Sequence, residues 1–376
     1  MDTPKILPTV ACNLDADILS ASLPLLEEGR VAAIEWSFDT LFKRNHILPE
    51  WFQELLETYS QANRLIGHGV FFSLFSGRLL PEQKTWLQHL ETVSKQYTFD
   101  HITEHFGFMT GADFHKGAPM SIPYSKSTVA IGRDRLSRIQ QACQCPVGLE
   151  NLAFSYSLEE VKKHGDFLNE LIEPLNGFII LDLHNFYCQL HNFNIPFDTL
   201  IALYPLDRVR EIHISGGSWQ QSIVNEQKQI RRDTHDGAVP QMVFELLQKA
   251  LPLCPNLKYV VMEQLGIGLQ TEADRLQFYR DFLQMEYLVM QYNEGHVYQP
   301  HNTFMPSGSL DTTRVVEDEY LYAEQQILSF ILEHAKDHED ALHQMQQTAL
   351  RQSSWDIEHW QPEMIDAALR IAQKWK

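Results

Sequence analysis

At 376 residues the chain is long enough for one large barrel plus an extra module. Its composition, 44% apolar and 21% charged, is that of an ordinary globular protein, and no run is apolar enough over enough length to span a bilayer. A net charge of −19 speaks against a nucleic-acid partner, because gripping a phosphate backbone relies on Lys and Arg; Lys228, Arg231 and Arg232 form only a small basic patch.

Strand and helix patterns alternate from the start. Strands are expected near residues 5–13, 31–38, 64–72, 101–107, 147–151, 177–185, 209–215 and 259–264. Helices are expected near 16–28, 49–61, 82–96, 128–143, 158–172, 197–203, 239–250 and 271–292, with a long loop before the fourth and a polar excursion before the seventh. Eight strand–helix units imply a parallel sheet closed as an α/β (β/α)8 TIM barrel over residues 1–294. A doubly wound open sheet would want a Gly fingerprint after the first strand, and Cys12-Asn13-Leu14-Asp15 offers none. Residues 295–309, rich in Gly, Pro, His and Asn, read as a linker. Residues 310–376 read as a C-terminal helical extension, with Leu321, Ile327, Leu328, Ile331 and Leu332 on one face, a second helix near 340–351 and a last one starting at Pro362.

The five cysteines are odd in number and lack framework spacing, so structural disulfides are not expected. No second pair completes a soft-metal site with Cys143-Gln144-Cys145, which reads as two thiols between a helix end and a strand. The opening Met1-Asp2-Thr3-Pro4-Lys5 lacks the basic and apolar regions of a signal peptide, and the expectation is a cytoplasmic protein.

Chemistry is concentrated where the strands stop. Gly67-His68-Gly69, Glu104-His105, Glu150-Asn151, Asp182-Leu183-His184-Asn185, Glu211-Ile212-His213, Asp233-Thr234-His235 and Glu263 end or follow apolar runs. In a barrel those C-terminal ends converge on one mouth. Glu150 can bridge two metals, and an N-cap role accounts for Asn151 but not for a Glu in an apolar strand. Strand alternation would put Asp182 and His184 on one face, and only one of Glu104 and His105 inside, taken to be His105. Of Glu211 and His213, one is expected to bind metal and the other to orient it. Gly237 and Pro240 mark a turn that would project Asp233 and His235 inward. Glu263 would need a costly buried ion pair unless a bound cation partners it. No nucleophile elbow, phosphate loop, dinucleotide fingerprint or His-Glu-x-x-His is present.

Taken in order, these motifs, with Val70 and Ser73 after Gly69, resemble the DUF692 proteins, the multinuclear non-haem iron-dependent oxidative enzymes, over roughly residues 5–292. The resemblance implies a variant of the xylose-isomerase-like barrel. It also implies two or three irons of mixed Fe2+/Fe3+ state, with a ferric ion binding the substrate group and a ferrous ion activating dioxygen, the co-substrate, for C–H abstraction. The substrate would be a Cys, Asp or Asn side chain of a ribosomally made precursor peptide, often brought by a peptide-recognition partner protein that the C-terminal helices here would supplement or replace. The expected metal ligands are His68, His105, Glu150, Asn151, Asp182, His184, His213, Asp233, His235 and Glu263. Asp233, His235 and Glu263 are the expected catalytic residues, and Arg231, Arg232 and Asn185 the expected substrate contacts.

The chain departs from the family pattern in three places. Ser215-Gly216-Gly217 stands where Ala-Gly-His is usual, Ser37-Phe38-Asp39 where Pro-Glu-Asn is usual, and Gln264-Leu265 where a carboxylate follows the last Glu. These departures point to weak occupancy of an outer metal position. Three other functions compete. A divalent-metal sugar isomerase or epimerase needs only Glu150, Asp182, His213 and Glu263, plus an acid–base group. A trinuclear-zinc abasic-site endonuclease fits the ligand demand but not the charge. A non-catalytic metal-binding barrel would serve partner binding alone.

Overall fold

The computed structural model describes residues 5–43, 48–110, 117–296, 301–308 and 310–374. Eight parallel strands close a barrel: β1 Leu7–Ala11, β2 Ala33–Trp36, β3 Leu65–Gly69, β4 Ile102–His105, β5 Val147–Glu150, β6 Phe178–Asp182, β7 Val209–Ser215 and β8 Tyr259–Glu263. Each pairs with its sequence neighbours, and β8 closes on β1 with Leu7 opposite Tyr259. Such strands are covered on both faces, so runs such as Phe178-Ile179-Ile180-Leu181 are fully buried.

The helices are α1 Ala16–Glu27, α2 Glu50–Gln61, α3 Pro81–Gln96, α4 Lys126–Cys143, α5 Leu158–Ile172, α6 Leu183–Asn192, α7 Phe197–Ile201, α8 Gln241–Ala250 and α9 Glu272–Gly295. Several start on short polar side chains: Asp15 accepts the Asp17 and Ile18 amides, Ser157 the Glu160 amide, and Thr271 pairs reciprocally with Asp274. The long loop and the polar excursion each contain a small antiparallel hairpin, Phe108–Met109 with Pro119–Met120 and Ser218–Gln221 with Gln229–Arg232. The cysteines are buried and unbridged. Among the described residues no helix is long and apolar enough to cross a membrane.

One element departs from the sequence expectation. The sixth strand stops at Asp182, whose Oδ1 accepts the Asn185 amide at 2.6 Å and caps α6. His184 and Asn185 therefore lie on the first turn of a helix, and the two-residue alternation expected for Asp182 and His184 does not apply.

The C-terminal helices α10 Glu319–His334, α11 His338–Gln346 and α12 Pro362–Lys374 share one continuous apolar core with the barrel. Gln325 of α10 pins the loop after β3: its Oε1 accepts the Gly77 amide at 3.0 Å and its Nε2 donates to Phe75 O at 2.8 Å. A Cβ at Gly77 would lie 2.5 Å from the Tyr322 nitrogen, so only glycine allows this approach. Trp360 stacks on Tyr156 at 3.6 Å, and Gln220 of the second hairpin donates to Asp366 of α12 at 2.8 Å. Positions 297–300 and 309 of the expected linker lie outside the described residues. Its described part is tied to the barrel's other end, where Asn302 bonds Asn176 and the fully buried Phe304 sits 5.6 Å from the Arg210 guanidinium.

Candidate metal centre

The strand ends deliver acids and histidines into one buried space. His105 of β4 lies beside Glu150 of β5 in register, and Asp182 of β6 beside His213 of β7. Among the described residues, donor atoms within 4.8 Å of one another form four groups: Glu35–Glu211–His213, behind the His213 ring, and toward the mouth His68–His105–Glu150, Glu150–Asp182–His213 and Asp182–His235–Glu263. Two of the three mouth groups share Glu150 and two share Asp182, so these three run as a connected row.

Distances give Glu150 a central position. Its Oε2 lies 3.6 Å from His68 Nε2 and 3.4 Å from His105 Nε2, while its Oε1 lies 3.9 Å from His213 Nδ1. Glu263 Oε2 lies 3.5 Å from His213 Nδ1 and 3.4 Å from His235 Nδ1. His235 adopts a left-handed backbone, φ 52°, a conformation rare outside glycine and asparagine that persists where surrounding structure enforces it.

The rings are oriented from behind, as metal-binding imidazoles usually are. His68 Nδ1 is held by Thr103 Oγ1 at 2.8 Å, leaving Nε2 toward Glu150. His213 Nε2 sits 3.1 Å from both Glu35 and Glu211, leaving Nδ1 toward the mouth. Glu211 in turn meets His101 Nε2 at 2.6 Å, and His101 Nδ1 meets Asp100, which also pairs with Arg210 at 2.7 Å and with Lys258. Burial alone would lower the His101 pKa, but the Glu211 and Asp100 carboxylates raise it overall. Glu211 thus lies between the His213 and His101 rings, on the side of His213 away from the mouth.

The mouth fits a cluster of cations. His213 Nδ1 and Asp182 Oδ2 are sealed from solvent and, among the described residues, have no hydrogen-bond partner. Burial, partly offset by His213, holds Glu150 well above the usual carboxylate range, and burial with the nearby Asp233 charge pushes Asp182 up to about 7. Burial and His105 lower the His68 pKa, which favours the neutral imidazole that a metal binds. A bound cation supplies what these carboxylates lack. The mixture of imidazole and carboxylate, without thiolate, suits iron, manganese or zinc.

Three of the ten expected ligands are drawn into other bonds. Asn151 clasps Asp182, accepting its amide at 2.6 Å and donating to its carbonyl at 3.2 Å, because β5 and β6 part there and need a side-chain bridge. His184 has Nδ1 on Asp233 at 2.9 Å and Nε2 on Arg231 at 3.0 Å, because it rides α6 rather than a strand. Asp233 Oδ1 is shared between His184 and His235, each at 2.9 Å. Asn185, expected to contact substrate, lines the cavity above the row and also braces Glu150, donating to its Oε1 at 3.1 Å. Glu104 is turned away from the mouth, so close to Gly69 that any Cβ there would lie 1.8 Å from its Oε1.

Glu35 was not among the expected residues. The signal that singles out Glu150, a carboxylate inside an apolar strand, is equally present in Ala33-Ile34-Glu35-Trp36. Burial raises Glu35 to about 8. The expected gap at Gly217 is tightly filled: a Cβ there would lie 2.2 Å from the Arg232 carbonyl and 2.8 Å from the His184 ring. Asp39, in place of the usual Asn, faces away and accepts the Val70 and Phe71 amides and the Trp86 indole.

Above the row lies a cavity of about 170 Å³. His105, Glu150 and Asp233 form its floor, Phe106, Leu152, Phe154 and Ile230 part of its sides, and Arg231 and Arg232 a basic flank. A further part of the wall is α12, through Met364, Ala367 and Ile371. The size is below the roughly 300–1,000 Å³ that encloses a whole drug-sized ligand, and suits one inserted side chain.

Comparison with known proteins agrees with this architecture. A UPF0276 protein of Acaryochloris marina is 30% identical over 188 residues, covering 49% of this chain and 64% of the relative. A UPF0276 protein of Alcanivorax borkumensis is 26% identical over 198 residues, covering 51% and 63%. The match thus spans just under two thirds of the length of these curated relatives. Solved structures that superpose include the IOLI protein with a bound zinc atom, at TM-score 0.47 and 13% identity over 75% of this chain and 95% of that one. Another is L-ribulose 3-epimerase, at TM-score 0.49 and 10% identity over 78% and 97%. The model of the RiPP precursor modification enzymes MbnB/TglH/ChrH matches residues 33–264, from the strand bearing Glu35 to the residue after Glu263. The chain belongs to that family, the DUF692 or multinuclear non-haem iron enzymes.

Proposed function

We propose that this protein is an iron- and dioxygen-dependent oxidoreductase that modifies one side chain, Cys or alternatively Asp or Asn, of a ribosomally synthesised precursor peptide. One observation carries the reading: a row of donor groups sharing Glu150 and Asp182, at the foot of a cavity sized for a side chain. A row sharing carboxylates suits two or three ions, and bound iron would supply both a binding point for the substrate group and activation of dioxygen. Glu150 and Asp182 would be among the residues that hold the ions, and Glu35 and Glu211 fix the ring of His213 so that Nδ1 faces the mouth. His235, Glu263 and Asp233 close the row on the side of the second hairpin, where they would sit beside the reacting group. The apolar walls exclude water, and α12 takes a place that a peptide-recognition partner would otherwise have to fill.

A sugar isomerase would use Glu150, Asp182, His213 and Glu263 and leave His68, His105 and His235 without a task. The apolar wall also offers little to a polyhydroxyl substrate. Anaerobic purification followed by metal analysis and Mössbauer spectroscopy tests the proposal. Two or more irons per chain, partly ferric, are expected; a single manganese or a full complement of zinc overturns it.

A further inference from the structure

Arg231 is a buried cation without an anion. It is 4% exposed, on the second strand of the hairpin that walls the cavity. Asn192 clamps its backbone, accepting the Arg231 amide at 2.8 Å and donating to its carbonyl at 3.0 Å. Its Nε donates to His184 Nε2 at 3.0 Å, and its guanidinium lies 4.9 Å from the Trp219 ring and 5.7 Å from that of Tyr187. The plane of the fork is thereby fixed from three sides. Among the described residues no carboxylate pairs with it and neither terminal nitrogen has a protein acceptor, although the side chain lines the cavity. The nearest acid in sequence, Asp233, is committed to His184 and His235. The adjacent Arg232 is spent on Gln220.

A buried, unpaired guanidinium is costly unless something answers it. Its two free N–H edges match the two oxygens of a carboxylate, the bidentate geometry at which Arg excels. We propose that Arg231 is a carboxylate receptor: the substrate segment carries a carboxylate that docks on this fork while a neighbouring side chain descends to the row of acids and histidines. The proposal rests on the peptide-modifying reading above and narrows its substrate class. The carboxylate is either the peptide's own C-terminus or an acidic side chain beside the modified residue.

The probes that test this are N-acetyl-Ala-Cys with a free C-terminus, its C-terminal amide, and N-acetyl-Cys-Asp amide. Binding to the metal-loaded protein is measured anaerobically by calorimetry. A charged, bidentate contact predicts that one acid-bearing probe binds roughly 10–100-fold tighter than the plain amide. Which of the two does so names the source. Arg231→Gln abolishes that preference, and Arg231→Lys keeps part of it. Damage to the pocket as such weakens acid and amide alike, so the ratio isolates the charge. Equal binding of all three probes by the native protein, no binding of any, or a preference that survives Arg231→Gln overturns the proposal. Repeating the titration with zinc in place of iron separates it from the iron reading, since a charge preference does not depend on redox chemistry.

Discussion

The barrel holds two buried clusters of acids and histidines, built from similar residues and put to opposite ends. At the floor, Asp100, His101 and Glu211 alternate acid and base, and Arg210 and Lys258 complete the charge balance. Phe304 seals that end. At the mouth, Glu150, Asp182, Asp233 and Glu263 face histidines and Asn185, some polar atoms are left unpartnered among the described residues, and the end stays open. The floor is complete without any further charge, whereas the mouth is not. His213 joins the two, with Nε2 on the floor's carboxylates and Nδ1 toward the mouth's.

The sharpest way to break the comparison is at Glu150. Glu150→Gln removes the charge shared by two donor groups, and metal content is expected to fall to one ion or fewer, with affinity reduced more than ~100-fold, beyond the usual effect of an outer-shell change. An unchanged metal count by elemental analysis would mean that the row is not a shared site. His101→Gln tests the link between the clusters. It frees Glu211, loosens His213 and is expected to weaken metal binding about 10–100-fold, although His101 touches no ion. If the protein is destabilised while metal affinity stays unchanged, floor and mouth are independent.

Smaller effects separate the wall and the bulk from both clusters. Ile371→Trp should fill part of the cavity and raise KM for a peptide substrate about tenfold, a cost of about 1.4 kcal/mol, with metal content unchanged. Loss of metal in this variant would show that α12 supports the cluster rather than the pocket. His164 is a buried histidine with no carboxylate partner: its Nε2 accepts the Leu152 amide at 3.1 Å, and burial lowers its pKa to about 3. The unfolded chain takes up a proton below an ordinary histidine pKa and the folded chain does not. This contribution is therefore intact above about pH 6.5 and lost as pH falls toward about 3, amounting to roughly 1 kcal/mol by about pH 5.5. His164→Gln should remove that slope from denaturant midpoints measured across this range; an unaltered slope would assign the acid sensitivity elsewhere.

Much of the barrel was legible because its strands are covered on both faces and therefore read as apolar runs. His68, Glu150, His213 and Glu263 stand out as polar residues inside or at the ends of such runs. Glu35 carries the same signature in β2, just before the departure at Ser37-Phe38-Asp39. His184 misled because Leu181-Asp182-Leu183 continues an apolar alternation through the point where Asp182 turns the chain into α6. The second hairpin was read only as polar excursion, since Ser218-Trp219-Gln220-Gln221 and Gln229-Ile230-Arg231-Arg232 are polar on both faces, and α6 holds it through Asn192. That α12 reaches the cavity could not be read locally, because its contacts join residues far apart in sequence.

The position of α12 also orders events in time. Glu263 completes the row of donors, and the wall residues Met364, Ala367 and Ile371 follow about a hundred residues later. At roughly 5–20 residues per second, a ribosome takes on the order of 5–20 s to cross that interval. If the barrel closes as it is made, the mouth stands unroofed during that time, and on the proposed function ions would meet the open donors before the last helix narrows the way in. Metal loading would then be an early event of the molecule's life, and substrate selection a late one.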